Sequence, residues 1–282
     1  MLEYSEQLRM MRETIEPIAA SVYFAPETIQ RLQALHLSPL EAYFCGRSAA
    51  MGRLTGPSVS SIFAFFNPKI AESSVESGWN KTDPPSVVDA RLDAVASYMG
   101  RVIPSEPTSD VKATIDLLSS VVDSVPDAGR PLFGAWRKIE IPNKDWRLRL
   151  WRACDLFREH RGAAHTAAWL VSGIAPREAV VLSKHWWGLQ SNAYLAVHGW
   201  SETDISEAES VLESLGYLNE SRVTQSGIEL RDEIEDLTDR MQIDIVRALS
   251  GKFGQITQAL TPFRDAVLQA GAYPMRQVPA RK

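Results

Sequence analysis

The chain is short of cysteine and of long apolar runs, and both shortages narrow what it can be. Two cysteines in 282 residues, Cys45 and Cys154, sit among apolar neighbours in helical patterns. They read as buried free thiols in a reducing compartment, not as a disulfide frame. No segment approaches the ~18 uninterrupted apolar residues of a membrane span, and the polar, charged start has no signal-peptide core. The expected setting is therefore the cytoplasm, away from any membrane. A Gly-rich phosphate loop, a Gly-x-Ser-x-Gly elbow and a Cys-His nucleophile arrangement are all missing. Strand patterns are scarce too, confined to Gly216-Tyr-Leu218 and Arg222-Val-Thr224.

What is present is helix. The 45% apolar and 23% charged fractions fit a soluble globular chain with one large domain or two ordinary ones. A net charge of −5 gives no global reason for nucleic-acid affinity. Helical spacing marks 5–20, 26–35, 38–51, 56–66, 69–77, 88–99 and 111–122, with loops expected over 80–87 and 103–109. A short segment, 132–140, precedes a long helix over 146–171. Helices near 176–188, 191–197, 201–216, 226–249 and 255–271 follow. The fold class is all-α with a minor β wing.

Two stretches share one pattern: Ser38-Pro39-Leu-Glu41-Ala42 ending at Gly52, and Ala175-Pro176-Arg-Glu178-Ala179 ending at Gly188. They predict two winged-helix-like modules related by internal duplication, 1–125 and 126–282, with the long helix between them. In that alignment Arg47 and Lys184 are equivalent. Arg47 also enters the apolar row Leu40, Phe44, Met51.

The long helix carries the candidate chemistry. Its apolar stripe, Leu150, Ala153, Phe157, Ala164, Ala167 and Val171, takes in His160. Arg161 and His165, four apart, share a neighbouring face, and Gly162 removes a side chain between them. His160 is the first choice for proton transfer, with His165 and with Glu159 to orient a histidine. Arg47, Arg161, Tyr43, Trp169 and Lys184 are the expected ligand contacts. No metal site is expected, because the two histidines lie five apart, roughly 140° around a helix. The cofactor is unassigned: a haem ligand among the histidines stays open, without an attachment motif to support it. Hydrogen-bonded core histidines are the competing reading. Eight tryptophans and a Tyr43, Phe44, Phe63, Phe65, Phe66 cluster suit an apolar or aromatic ligand held by few polar groups.

Residues 200–249 resemble the recognition helix, wing and following helix of MarR-like winged-helix regulators. A broader resemblance is to an uncharacterised actinobacterial helix-turn-helix family. It rests on Tyr23-Phe-Ala-Pro-Glu27, Tyr43-Phe-Cys-Gly-Arg-Ser-Ala49, Phe65-Phe-Asn-Pro68, Arg158-Glu-His-Arg-Gly162 with His165, Gly199-Trp-Ser-Glu202 and 230–239. It implies the fold and no activity. It also implies an acidic residue after Gly162, where Ala163 stands, so a ligand served by that carboxylate would differ here.

Charge opposes a DNA-reading role. Over 201–240 there are twelve acids and three bases, Arg222, Arg231 and Arg240, a net of −9. Nine bases against four acids lie over 130–161 instead, expected to pair with the acidic C-terminal part, across a homodimer or within the chain. The leading expectation is a protein that binds a small organic molecule, anionic or aromatic, between the modules, as a binder or an enzyme of specialised metabolism. A ligand-responsive MarR-like regulator and an interaction protein without a ligand are the alternatives.

Overall fold

The computed structural model describes residues 4–103, 106–141 and 145–273. In chain order its helices are α1 (Ser5–Phe24), α2 (Pro26–Gln33), α3 (Pro39–Ser48), α4 (Gly56–Ile62), α5 (Pro68–Trp79), α6 (Pro84–Val102), α7 (Ser109–Ser124) and α8 (Pro131–Arg137). They continue with α9 (Trp146–Val171), α10 (Pro176–Trp186), α11 (Ala193–Val197), α12 (Glu202–Ser214), α13 (Gln225–Arg240), α14 (Ile243–Leu249) and α15 (Phe253–Gln269). Between α12 and α13 lies a two-stranded antiparallel wing, β1 (Leu218–Asn219) and β2 (Arg222–Val223), with Leu218 opposite Val223. The chain is all-α with a minor β wing.

Local chemistry explains most helix starts. Proline stands in the first turn of α2, α3, α4, α5, α6, α8 and α10, where its missing N–H costs nothing. Ser38 with Glu41, and Ser201 with Asp204, close reciprocal caps on α3 and α12. Several boundaries differ from the sequence expectation: α1 runs on to Phe24 and α4 stops at Ile62. The 80–87 loop is shorter, because the Asp83 side chain caps Ser86 and Pro84 opens α6. The single helix expected over 226–249 is broken at Met241–Gln242 into α13 and α14, and Gln242 turns inward, where it is buried.

Three apolar clusters form the interior. The largest joins α1, α6, α7, α8, the first half of α9, α14 and α15, and so draws on residues from both sides of position 125. A second fills the space among α2 to α6, and a third joins the end of α9 to α10, α12, α13 and the wing. Helices α3 and α10 each bury a base near their ends, Arg47 and Lys184. Beyond them the halves diverge: among the described residues the wing belongs to the second half alone. Helices α13 and α15 pack on α9 and α1 of the same chain.

The halves meet where Gly199 turns the chain. Its φ of +80° is a left-handed conformation, and an added Cβ would lie 2.7 Å from Ile70 of α5. There Asn67 N–H donates to the His198 carbonyl at 2.8 Å, and Trp200 Nε1–H to the Phe65 carbonyl at 3.0 Å.

Candidate functional site

Helix α9 presents different chemistry on opposite faces. Leu150, Ala153, Phe157, His160 and Ala164 are buried as the stripe requires, while Val171 at its end is 75% exposed. His160 is sealed at 1% exposure, with its ring edge-on to Phe133 of α8. Gln242 donates from Nε2 to its Nδ1 at 3.0 Å, which leaves the ring proton on Nε2. Burial, helped by Arg130, pushes the His160 imidazole down to about 4, so it is neutral near pH 7.

A second face carries an ionic layer. Arg47 reaches from α3 to Glu159 through Nη2 to both carboxylate oxygens at 2.7 Å and through Nε at 3.2 Å. Its Nη1 donates to the Tyr43 hydroxyl at 2.9 Å, and Trp136 Nε1–H donates to its carbonyl at 2.7 Å. Burial raises the Glu159 carboxyl, but Arg47 and Arg158 outweigh that and hold it below its ordinary range. Beneath this pair Arg91 binds Asp155 at 2.8 Å and Tyr23 at 3.0 Å, and the Tyr23 hydroxyl donates to Asp155 at 2.5 Å. Glu159 is therefore committed to Arg47 and does not orient a histidine.

His165 faces α13. Trp169 Nε1–H donates to His165 Nε2 at 3.0 Å, which places the ring proton on Nδ1, 3.1 Å from Thr238 Oγ1. Thr238 passes its own proton to the Ile234 carbonyl at 2.7 Å. Burial pushes the His165 imidazole down to about 3. Beside it, Arg161 donates to Glu235 Oε2 at 2.6 Å and Arg231 to Glu235 Oε1 at 2.8 Å. Arg161, His165 and Trp169 thus share one environment, Arg47, Tyr43 and Glu159 a second, and His160 lies apart across the helix.

Arg158, Gly162, His165 and Trp169 follow one another along a single line of α9. Gly162 is exposed, and a Cβ placed on it would meet nothing within 4 Å, so it leaves a shallow recess in the side-chain cover of the helix. A run of rings passes from Tyr43 to Phe66, 5.3 Å between rings, and on to His198 and Tyr194 at 4.7 Å each. Phe65 lies 6.2 Å from His165 and 6.3 Å from Trp169. Tyr43, Phe65, His165, Tyr194 and His198 keep partial solvent access, yet burial raises the Tyr194 phenol and lowers the His198 imidazole.

Thr224 caps α13 through Gly227 N–H, and the tight turn between β1 and β2 puts Glu220 and Ser221 at positive φ. A model of a helix-turn-helix family matches residues 8–274. The chain belongs to that helix-turn-helix family. No curated protein and no solved structure matches it.

In this helix-turn-helix protein, α12 is acidic, with Glu202, Glu207 and Glu213 exposed. Lys184 and His185 of α10 turn to Glu209 at 3.8 and 2.8 Å, so Lys184 braces α12 and stands outside the recess. Most of the basic run is consumed internally: Arg149 by Asp116, Arg158 by Glu16, Arg161 by Glu235, Arg137 by Asp127 and two carbonyls. Among the described residues no group of three His, Cys, Asp or Glu side chains could hold a metal, and no helix is long and apolar enough to cross a membrane. Sequence reasoning did not find Tyr194, His198 or Arg231 for the recess. The Arg231–Glu235 spacing of four was the available signal for the last.

Proposed function

We propose that this protein binds a small planar organic molecule in the recess in front of Gly162, where the two halves meet on α9. The observation that carries the reading is the bare helix surface at Gly162, one turn from His165, whose ring packs against Phe65 and Trp169 and is held by Thr238. Tyr43, Phe65, Phe66 and Tyr194 supply flat apolar surface. The Tyr43 and Tyr194 hydroxyls supply the few polar contacts. His160 has no part in binding and serves the core. The acidic face of α12 supports a scaffold that no longer reads DNA, since it would repel phosphates.

The test is a panel of planar probes, indole, 2-naphthamide and 2-naphthoate, read by the protein's melting temperature. A probe at a hundred times its dissociation constant contributes about 2.7 kcal/mol, a rise of several degrees. Gly162→Leu should abolish that rise by filling the recess. It should also stabilise the unliganded protein by ~0.5–1 kcal/mol, because leucine outranks glycine inside a helix. If no probe at millimolar concentration shifts the melting temperature, or the shift survives in Gly162→Leu, the recess is not a binding site.

A further inference from the structure

Arg231 is the largest unanswered charge at this site. Its side chain is 1% exposed, and its guanidinium lies between two indoles, 4.9 Å from the Trp169 ring and 4.7 Å from Trp186. One nitrogen, Nη2, donates to Glu235; Nε and Nη1 are buried and meet no acceptor among the described residues. A buried guanidinium with idle donors is costly unless something accepts from them.

Its counter-charge is also divided. Glu235 faces Arg231 at 2.8 Å, Arg161 at 2.6 Å and Arg12 of α1 at 3.6 Å, so three guanidinium groups share one carboxylate. The next acids along α13, Asp236 and Asp239, lie 3.1 and 3.3 Å from Arg9. Trp169 joins Arg231 to the recess, because the same indole donates to His165. Tyr194 of α11 lies close enough to Arg231 for the two to interact electrostatically.

We propose that Arg231 is the anion-binding end of the recess, and that the ligand is a planar aromatic acid whose carboxylate accepts from Arg231 Nη1 while its ring lies among Tyr43, Phe65 and Phe66. This rests on the recess reading above. A guanidinium and a carboxylate attract as opposite charges as well as through the hydrogen bond, so the acid is favoured over a neutral amide of the same shape.

The experiment compares 2-naphthoate with 2-naphthamide by titration calorimetry on the full chain. In the wild type the acid should bind about tenfold tighter or more, with an advantage that shrinks as salt is raised. Arg231→Met should bring the two probes to within about twofold, while Glu235 keeps Arg161 and circular dichroism shows a cooperative melt. Should Arg231→Met fail to fold, the wild-type comparison and its salt dependence decide alone. Equal affinities, or an acid preference unchanged in Arg231→Met, would overturn the anion subsite and leave the recess standing. Absence of binding by either probe would remove the recess with it.

Discussion

Replacing Arg47 by methionine should be felt in stability before anything else. Arg47 and Glu159 are 8% and 4% exposed and joined by three contacts of 2.7 to 3.2 Å. At an effective dielectric near 20, unit charges ~4 Å apart attract by about 4 kcal/mol. Desolvation of both partners offsets much of this in the intact pair. Removing Arg47 alone strands a buried carboxylate, with Arg158 at 3.1 Å as partial compensation. We therefore expect Arg47→Met to cost about 2–4 kcal/mol, somewhat under the usual range for breaking a buried pair. Glu159→Leu should cost a similar amount by stranding the guanidinium. Arg47→Met with Glu159→Leu should be less harmful than the sum of the two by about 2 kcal/mol. Urea unfolding followed by tryptophan fluorescence reads all three variants against the wild type. Additive effects, or a single substitution costing under about 0.5 kcal/mol, would refute the reasoning that the pair is a mutually dependent brace.

Two further outcomes follow from the same geometry. The folded-state pKa of His160 lies below its unfolded value of about 6.5, so the unfolded chain takes up the proton first as pH falls. Stability is full above pH ~6.5 and is lost on acidification toward about 4, with a loss of about 2 kcal/mol from this residue at pH 5. His165 acts in the same direction, so His160→Gln should flatten the pH dependence of urea midpoints without abolishing it; an unchanged slope would mean that the ring titrates alike in the folded and unfolded chain. Replacing Glu202, Glu207 and Glu213 of α12 by lysine should create weak, strongly salt-dependent duplex binding in a gel-shift assay if the helix keeps a groove-reading shape. No retardation at low salt would show that the shape itself has been lost.

The helices were legible because their signals are local. Proline in the first turn, the serine caps and the apolar period mark α3, α9 and α12 within a residue or two. The break at Met241–Gln242 was not, since Ile234, Met241 and Ile245 keep one apolar period across it; tertiary demand for Gln242 at His160 accompanies the break. The site was half legible. Gly162 and His165 were visible as an oddity in a helix, and Arg47 as a charge in an apolar row. Periodicity alone could not separate a histidine that faces a recess from one that faces the core. His160 and Gly162 are two residues apart, so they lie on opposite sides of α9. Tyr194 and His198 arrive from a five-residue helix whose position depends on the Gly199 turn against α5. No sequence pattern reports that kind of long-range placement.

The pairing of α1 with α15 has a consequence for synthesis. The apolar side of α1, Leu8, Met11, Ile15 and Ile18, is covered in part by Ile256, Leu260 and Val267 of the last helix. A chain emerging from the ribosome at about 5–20 residues per second leaves that side incompletely covered for roughly 10–50 s before its partner exists. The nascent protein therefore holds a sticky α1 until α15 has been made, and chaperone capture should concentrate on α1 until α15 docks.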